Sequence, residues 1–108
     1  MFPLANVTRS PDWGGFDSNY CCVSLLNHND PLYMKIGKKF IEIQTEIYGT
    51  DHYYNADTFN EMSPDSADPE YLRSSSAVVF ESMAQADPDA IWVMQGWVNH
   101  GFVFALIA

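Results

Sequence analysis

Positive charge is scarce in this sequence. Of 108 residues, Lys and Arg number 5 against 14 Asp and Glu, for a net charge of -9. The five are Arg9, Lys35, Lys38, Lys39 and Arg73, so beyond Lys39 a single basic side chain remains. Such a chain cannot neutralise a row of phosphates, and nucleic acid is excluded as an expected partner. An anionic membrane surface is disfavoured for the same reason. No apolar run reaches the roughly 20 residues that a membrane-crossing helix needs. The opening "MFPLANVTRSPDW" lacks the basic start and long apolar core of a secretion signal. Cysteine is limited to the neighbours Cys21 and Cys22, and no C-x-x-C or Cys/His spacing points to zinc. Adjacent cysteines rarely bond to each other. The two readings are a buried thiol at each, or a disulfide to a partner outside the chain. Internal repeats and low-complexity segments are absent.

What is present describes a packed protein. Hydrophobic residues make up 47% and charged residues 18%, a globular composition. Aromatics reach 15%, which suits a tight core or a site that stacks flat rings. Asn6-Val7-Thr8 fits the N-glycosylation pattern, so Asn6 is a candidate acceptor and a hint of a secretory route.

Punctuation along the chain gives its elements. Residues 1–30 read as irregular, with a short strand near Ala5–Thr8 and a shaped loop at "SPDWGGFDSN". Asp30 caps and Pro31 opens a helix to Tyr48, with Gly49 as its terminator. Leu32, Ile36, Phe40, Ile43 and Ile47 form its apolar stripe, and Lys38 can pair with Glu42 one turn on. A strand follows at about His52–Thr58. Asp68 and Pro69 then open a second helix to about Ala86, with Leu72, Val79, Met83 and Ala86 on one face and Asp87-Pro88-Asp89 ending it. "AIWVM", Ala90–Met94, suits a strand buried on both faces, with Trp92 in the core. Helix, strand, helix, strand implies α/β architecture with parallel strands and crossover helices. Two such units do not close a sheet. A (β/α)8 barrel takes about 250 residues, so the fold expected here is a partial TIM barrel of about two βα units.

Parallel sheets collect their active groups beyond the carboxyl ends of the strands. Asn60 and Glu61 follow the first strand and Gln95-Gly96-Trp97 the second, which puts them on one face. A carboxylic acid there can give a proton to a glycosidic oxygen, and an asparagine amide can hold a sugar hydroxyl or acetamido group. Trp13 and Trp97 can stack on a sugar ring. Each has a plainer alternative: Glu61 as an exposed charge, Trp13 as a plug that anchors its loop. His28, His52 and His100 have no Cys or carboxylate at ligand spacing and read as structural, so no metal and no cofactor are expected.

Three stretches, "FPLANVTRSPDWGGF", "YGTDHYYNADTFNEM" and "DPDAIWVMQGW", carry a further signal. In this order and spacing, over about residues 2–97, the chain resembles the α-N-acetylglucosaminidase family of lysosomal, heparan-sulfate-degrading exoglycosidases. The resemblance implies a central catalytic barrel and release of terminal α-linked N-acetylglucosamine with retention of configuration. It implies Glu61 as general acid/base, Asn60 as its companion, and Trp13 and Trp97 as walls of the sugar pocket. It also implies a nucleophilic carboxylate from a later strand, and a lysosomal or secreted location. Ser18 stands where some relatives carry a cysteine, which puts the family's disulfide at Cys22 in question. The tail "VNHGFVFALIA", residues 98–108, departs from the family pattern and reads as retained-intron or otherwise mistranslated sequence. Lacking a second carboxylate and the remainder of the barrel, the chain alone is expected to be a catalytically inactive fragment with at most weak sugar binding, and prone to aggregate.

Overall fold

The computed structural model describes residues 2–10, 12, 15–17, 19–59 and 64–94. Six elements follow one another: β1 (Val7–Arg9), β2 (Ser24–Leu26), α1 (Pro31–Tyr48), β3 (Tyr53–Asn55), α2 (Pro69–Ala86) and β4 (Ile91–Val93). The expected tail, residues 98–108, lies outside the described residues.

Both helices begin on the same chemistry. Asp30 accepts the backbone N–H of Leu32 at 2.8 Å, and Asp68 that of Glu70 at 2.9 Å, with proline at the first turn of each helix. Each carboxylate satisfies a donor that the helix itself cannot, and the proline gives up an N–H that would have no partner anyway. α1 ends at Gly49, whose positive φ of 76° suits glycine and whose N–H reaches the Thr45 carbonyl. α2 ends at Asp87.

β3 and β4 pair in parallel, with Tyr53 opposite Ile91, Tyr54 opposite Trp92 and Asn55 opposite Val93. α2 is the crossover between them. β1 and β2 form a separate antiparallel pair, Val7 to Leu26 and Arg9 to Ser24. β2 falls in a region that the sequence pattern left irregular, and β1 sits slightly later than expected. The core lies where one face of β3–β4 meets the two helices: Ile41, Tyr54, Val79, Met83 and Trp92, flanked by Tyr33, Ala56, Ala86, Ala90 and Met94.

Two expectations are corrected, on Ala90–Met94 and on the cysteines, and the α1 stripe is located. Ala90–Met94 is not covered on both faces: Trp92 is buried, but Ile91 and Val93 alternate to the open side. The α1 stripe is not core, since Ile36, Phe40, Ile43 and Ile47 are all exposed and Ile41, off the stripe, is the buried residue. Cys21 and Cys22 are bonded to each other, Cα atoms 3.8 Å apart, with Cys22 at a positive φ of 63°.

Candidate active site

The parallel pairing of β3 and β4 fixes where a site can form. Both strands run the same way, so Asn55 and Val93 stand side by side at the same, carboxyl end of the sheet. Trp92 ties them together: its indole N–H donates to the Ala56 carbonyl at 2.9 Å. The chain after β3 is therefore held beside β4 for its first residues. Ala56 to Phe59 then lead directly to Asn60 and Glu61. Asn60, Glu61, Trp13 and Trp97 themselves lie outside the described residues. Asn6 is described: it is exposed just before β1, and its backbone N–H donates to Asp30 Oδ2 at 2.7 Å.

The surroundings of the β3 loop are built from three elements. Thr58 and Phe59 share a cavity of about 170 Å³ with Leu25 and His28 from the hairpin side and Tyr71 and Ser75 from α2. Among the described residues, Thr58 Oγ1 is buried without a hydrogen-bond partner. His28 packs edge-on against Tyr71, ring centres 4.9 Å apart, and its Nε2 lies 2.9 Å from Ser74 Oγ. The Ser74 hydroxyl donates to the Tyr71 carbonyl, so the imidazole N–H is the natural donor to Ser74. Burial lowers the His28 pKa from its ordinary value, which keeps the ring neutral at pH 7. The Tyr71 phenol is raised, chiefly by burial and then by the Asp65 carboxylate, against the Asp65 backbone N–H that it accepts. Tyr71 thus reaches the loop that follows Glu61. The hairpin is fastened to α1 as well. Asp30 accepts both Asn6 and Leu32 N–H groups, and these bonds hold its carboxyl below the ordinary value.

The opposite end of the strands carries a different network. Asp87 Oδ2 accepts the Tyr54 hydroxyl at 2.7 Å and lies 2.8 Å from His52 Nδ1. Thr50 Oγ1 is 2.8 Å from the Tyr54 oxygen and accepts the His52 N–H. His52 has a positive φ of 69°, uncommon outside glycine. Three bonds hold it there: to Thr50, to Asp87, and from the Ile91 N–H to its carbonyl. Sequence spacing hid this partnership because Asp87 stands 35 residues away. Ligand atoms of His52, Asp87 and Asp89 lie within 4.8 Å of one another, as do those of Asp12, Cys21 and Cys22. In the first group the imidazole and carboxylate already bond each other, and in the second the sulfurs are joined.

Comparison with known proteins gives two findings. Residues 1–103 match the family model described as "Alpha-N-acetylglucosaminidase (NAGLU) tim-barrel domain". The chain is 44% identical over 98 residues to a human protein named alpha-N-acetylglucosaminidase. That alignment takes in 91% of this chain but 13% of the human protein.

Proposed function

The chain belongs to the α-N-acetylglucosaminidase family of glycoside hydrolases, and on that premise we propose that it is a segment of the family's catalytic TIM barrel, with Glu61 as the general acid/base. The parent protein removes terminal α-linked N-acetylglucosamine from glycans such as heparan sulfate by a retaining, two-carboxylate mechanism. One observation supports this reading: β3 and β4 are parallel, and the bond from Trp92 to Ala56 holds the residues that precede Asn60 in sequence at the carboxyl end of the strands, the end where such sites form. Glu61 protonates the leaving oxygen and later takes a proton from water. Asn60 holds a sugar substituent beside it, and Trp13 and Trp97 flank the ring.

The test is made in a chimera whose human scaffold carries this chain in place of the matched segment. Glu61→Gln should slow substrates with poor leaving groups by roughly 100-fold or more, the scale of general acid catalysis. Activated aryl substrates should still form the glycosyl-enzyme, which then stalls, and added azide should release a product of retained configuration. Equal loss on good and poor leaving groups, with no azide rescue, would remove Glu61 from this role.

The same residues support a second reading for the chain by itself, as an inactive fragment. Retention needs two carboxyls about 5 Å apart. Asp51 precedes β3, and Asp87 and Asp89 precede β4, so all three stand at the wrong end of the strands. β4 runs out into Met94 and Gln95. Turnover of an aryl α-N-acetylglucosaminide by the purified chain, abolished by Glu61→Gln, would overturn this.

A further inference from the structure

The connection from β3 to α2 is held on both sides of Asn60 and Glu61. Ahead of them in sequence, Thr58 and Phe59 line the cavity shared with the hairpin and α2, and after them Asp65 lines the same cavity. The chain leaves this cavity at Phe59 and is back on it at Asp65. Tyr71 takes hold of the returning end: its phenol oxygen accepts the Asp65 backbone N–H. A bond to the main chain fixes the path of the chain itself, whatever side chain stands there. Tyr71 is in turn held from two directions. His28 packs edge-on against its ring, with centres 4.9 Å apart, and His28 Nε2 lies 2.9 Å from Ser74 Oγ. The Ser74 hydroxyl donates to the Tyr71 carbonyl at 3.0 Å, on the same turn of α2. Just before His28, the Asn27 N–H donates to the Asn6 carbonyl at 2.8 Å, which ties this support to the hairpin. Thr58 gives the entering side no such help, because its hydroxyl is buried without a hydrogen-bond partner among the described residues.

We propose that Tyr71, braced by His28, is a positioning residue for the acid/base: it fixes the end of the loop on which Glu61 stands, and so sets how well that carboxyl meets the leaving oxygen. This rests on the Glu61 reading above. Proton transfer needs a heavy-atom separation of about 2.6–3.2 Å, and a misplacement of about 1 Å can cost roughly 100-fold in rate. Asp65 stands four residues after Glu61, so slack at Asp65 meets little chain that could absorb it. Tyr71 acts through Glu61 and needs no contact with the sugar. The competing reading is a structural one, in which Tyr71 supports the fold without bearing on proton delivery.

The experiment is made in the chimera described above. Tyr71→Phe keeps the ring against His28 and deletes the oxygen that accepts the Asp65 N–H. Tyr48→Phe, at an exposed phenol on the last residue of α1, is the control. The readout is kcat/KM on poor and on activated leaving groups, per mole of folded enzyme. Tyr71→Phe should lower it on poor leaving groups by about 10- to 100-fold and change it little on activated aryl substrates. Tyr48→Phe should leave both unchanged. In a Glu61→Gln background, Tyr71→Phe should have no further effect on the ratio of the two, because a residue that acts through another loses its effect once the other is gone. Equal loss on both substrate classes, an unchanged ratio, or an effect that adds fully to that of Glu61→Gln would overturn the proposal and leave Tyr71 a structural residue. Should Tyr71→Phe not fold, His28→Gln, which removes the brace and leaves the phenol, must shift the ratio in the same direction, and an unshifted ratio overturns the proposal. A Glu61→Gln variant that does not discriminate between leaving groups would instead sink the acid/base reading itself, and this inference with it.

Discussion

α1 and α2 have the same length, 18 residues, and the same Asp-Pro opening, yet they use their apolar side chains differently. α2 buries Ser75, Val78, Val79, Ser82 and Met83, two of them serines. α1, with the more regular stripe, buries only Ile41. The serines are tolerated because their hydroxyls turn back on the helix: Ser75 donates to the Leu72 carbonyl and Ser82 to the Val78 carbonyl. An amphipathic stripe records that a face is destined for cover, not which element covers it. α2 has its sheet within this chain. The α1 stripe, Ile36, Phe40, Ile43 and Ile47, is left uncovered by the described residues.

The contrast is broken most directly by truncating one residue from each helix. Met83→Ala on α2 should cost about 2–5 kcal/mol, a large part of any small domain's stability. Ile47→Ala on α1 should change stability by about 0.5 kcal/mol or less, as for other exposed positions. Urea unfolding followed by circular dichroism measures both. Equal losses would mean that the α1 stripe is covered in the isolated chain.

A smaller effect sharpens the contrast at the seam between the helices. Gly37 is where α1 comes closest to α2: a Cβ there would lie 2.7 Å from Ser82 Cβ and 2.8 Å from its Oγ. Gly37→Ala ordinarily favours a helix by about 1 kcal/mol. Here the helices must move apart, and overpacking of this kind costs about 1–3 kcal/mol. The expected outcome is a lower melting temperature than the parent. A raised one would mean that the two helices are not seated as closely as described.

How much of this was legible beforehand depended on how far apart the determinants lie. Asp30-Pro31, Gly49, Asp68-Pro69 and Asp87 set both helices within a few residues of themselves, and both span the predicted residues, Pro31–Tyr48 and Pro69–Ala86. The parallel pairing followed from element order. The strands were overestimated, because β-favouring composition at His52–Thr58 extends beyond the three residues that find a partner. Burial in "AIWVM" was misjudged because an apolar run gives no sign of which neighbours are present. Glu61, Asn60, Trp13 and Trp97 remain an expectation from resemblance and position. The His52–Asp87–Tyr54 network was not legible at all. It joins a left-handed turn before β3 to the cap of α2, and no local pattern links residues so far apart.

That network gives the smallest and most specific expectation, one of pH dependence at the end of the strands away from the candidate site. The Asp87 hydrogen bond raises the His52 pKa, assisted by the charges of Asp87, Asp89 and Asp51 and opposed by slight burial. Its contribution is therefore fully present below the unfolded value near 6.5 and is lost as pH rises through the folded value. Asp87 is held below 3.8, first by the Tyr54 hydroxyl and then by His52. Its contribution is present above that value and is lost as pH falls through the folded pKa. The pair is thus strongest between about pH 4 and 6.5, and above that only its His52 half fades, as pH rises through the raised folded value, because Tyr54 still serves Asp87. His28 runs the other way. Its pKa is lowered by burial, so its contribution is present above 6.5 and is lost as pH falls toward the folded value. The two histidines act on opposite sides of 6.5, so their joint contribution should rise as pH climbs toward 6.5 and fall above it, giving the parent chain a maximum within the range from about 5 to 8. His52→Asn, which tolerates the left-handed backbone, should leave a stability that rises with pH there. His28→Gln should leave one that falls. Melting temperatures at half-unit pH steps decide the matter: parallel profiles for the two variants would show that these rings are not the groups that titrate.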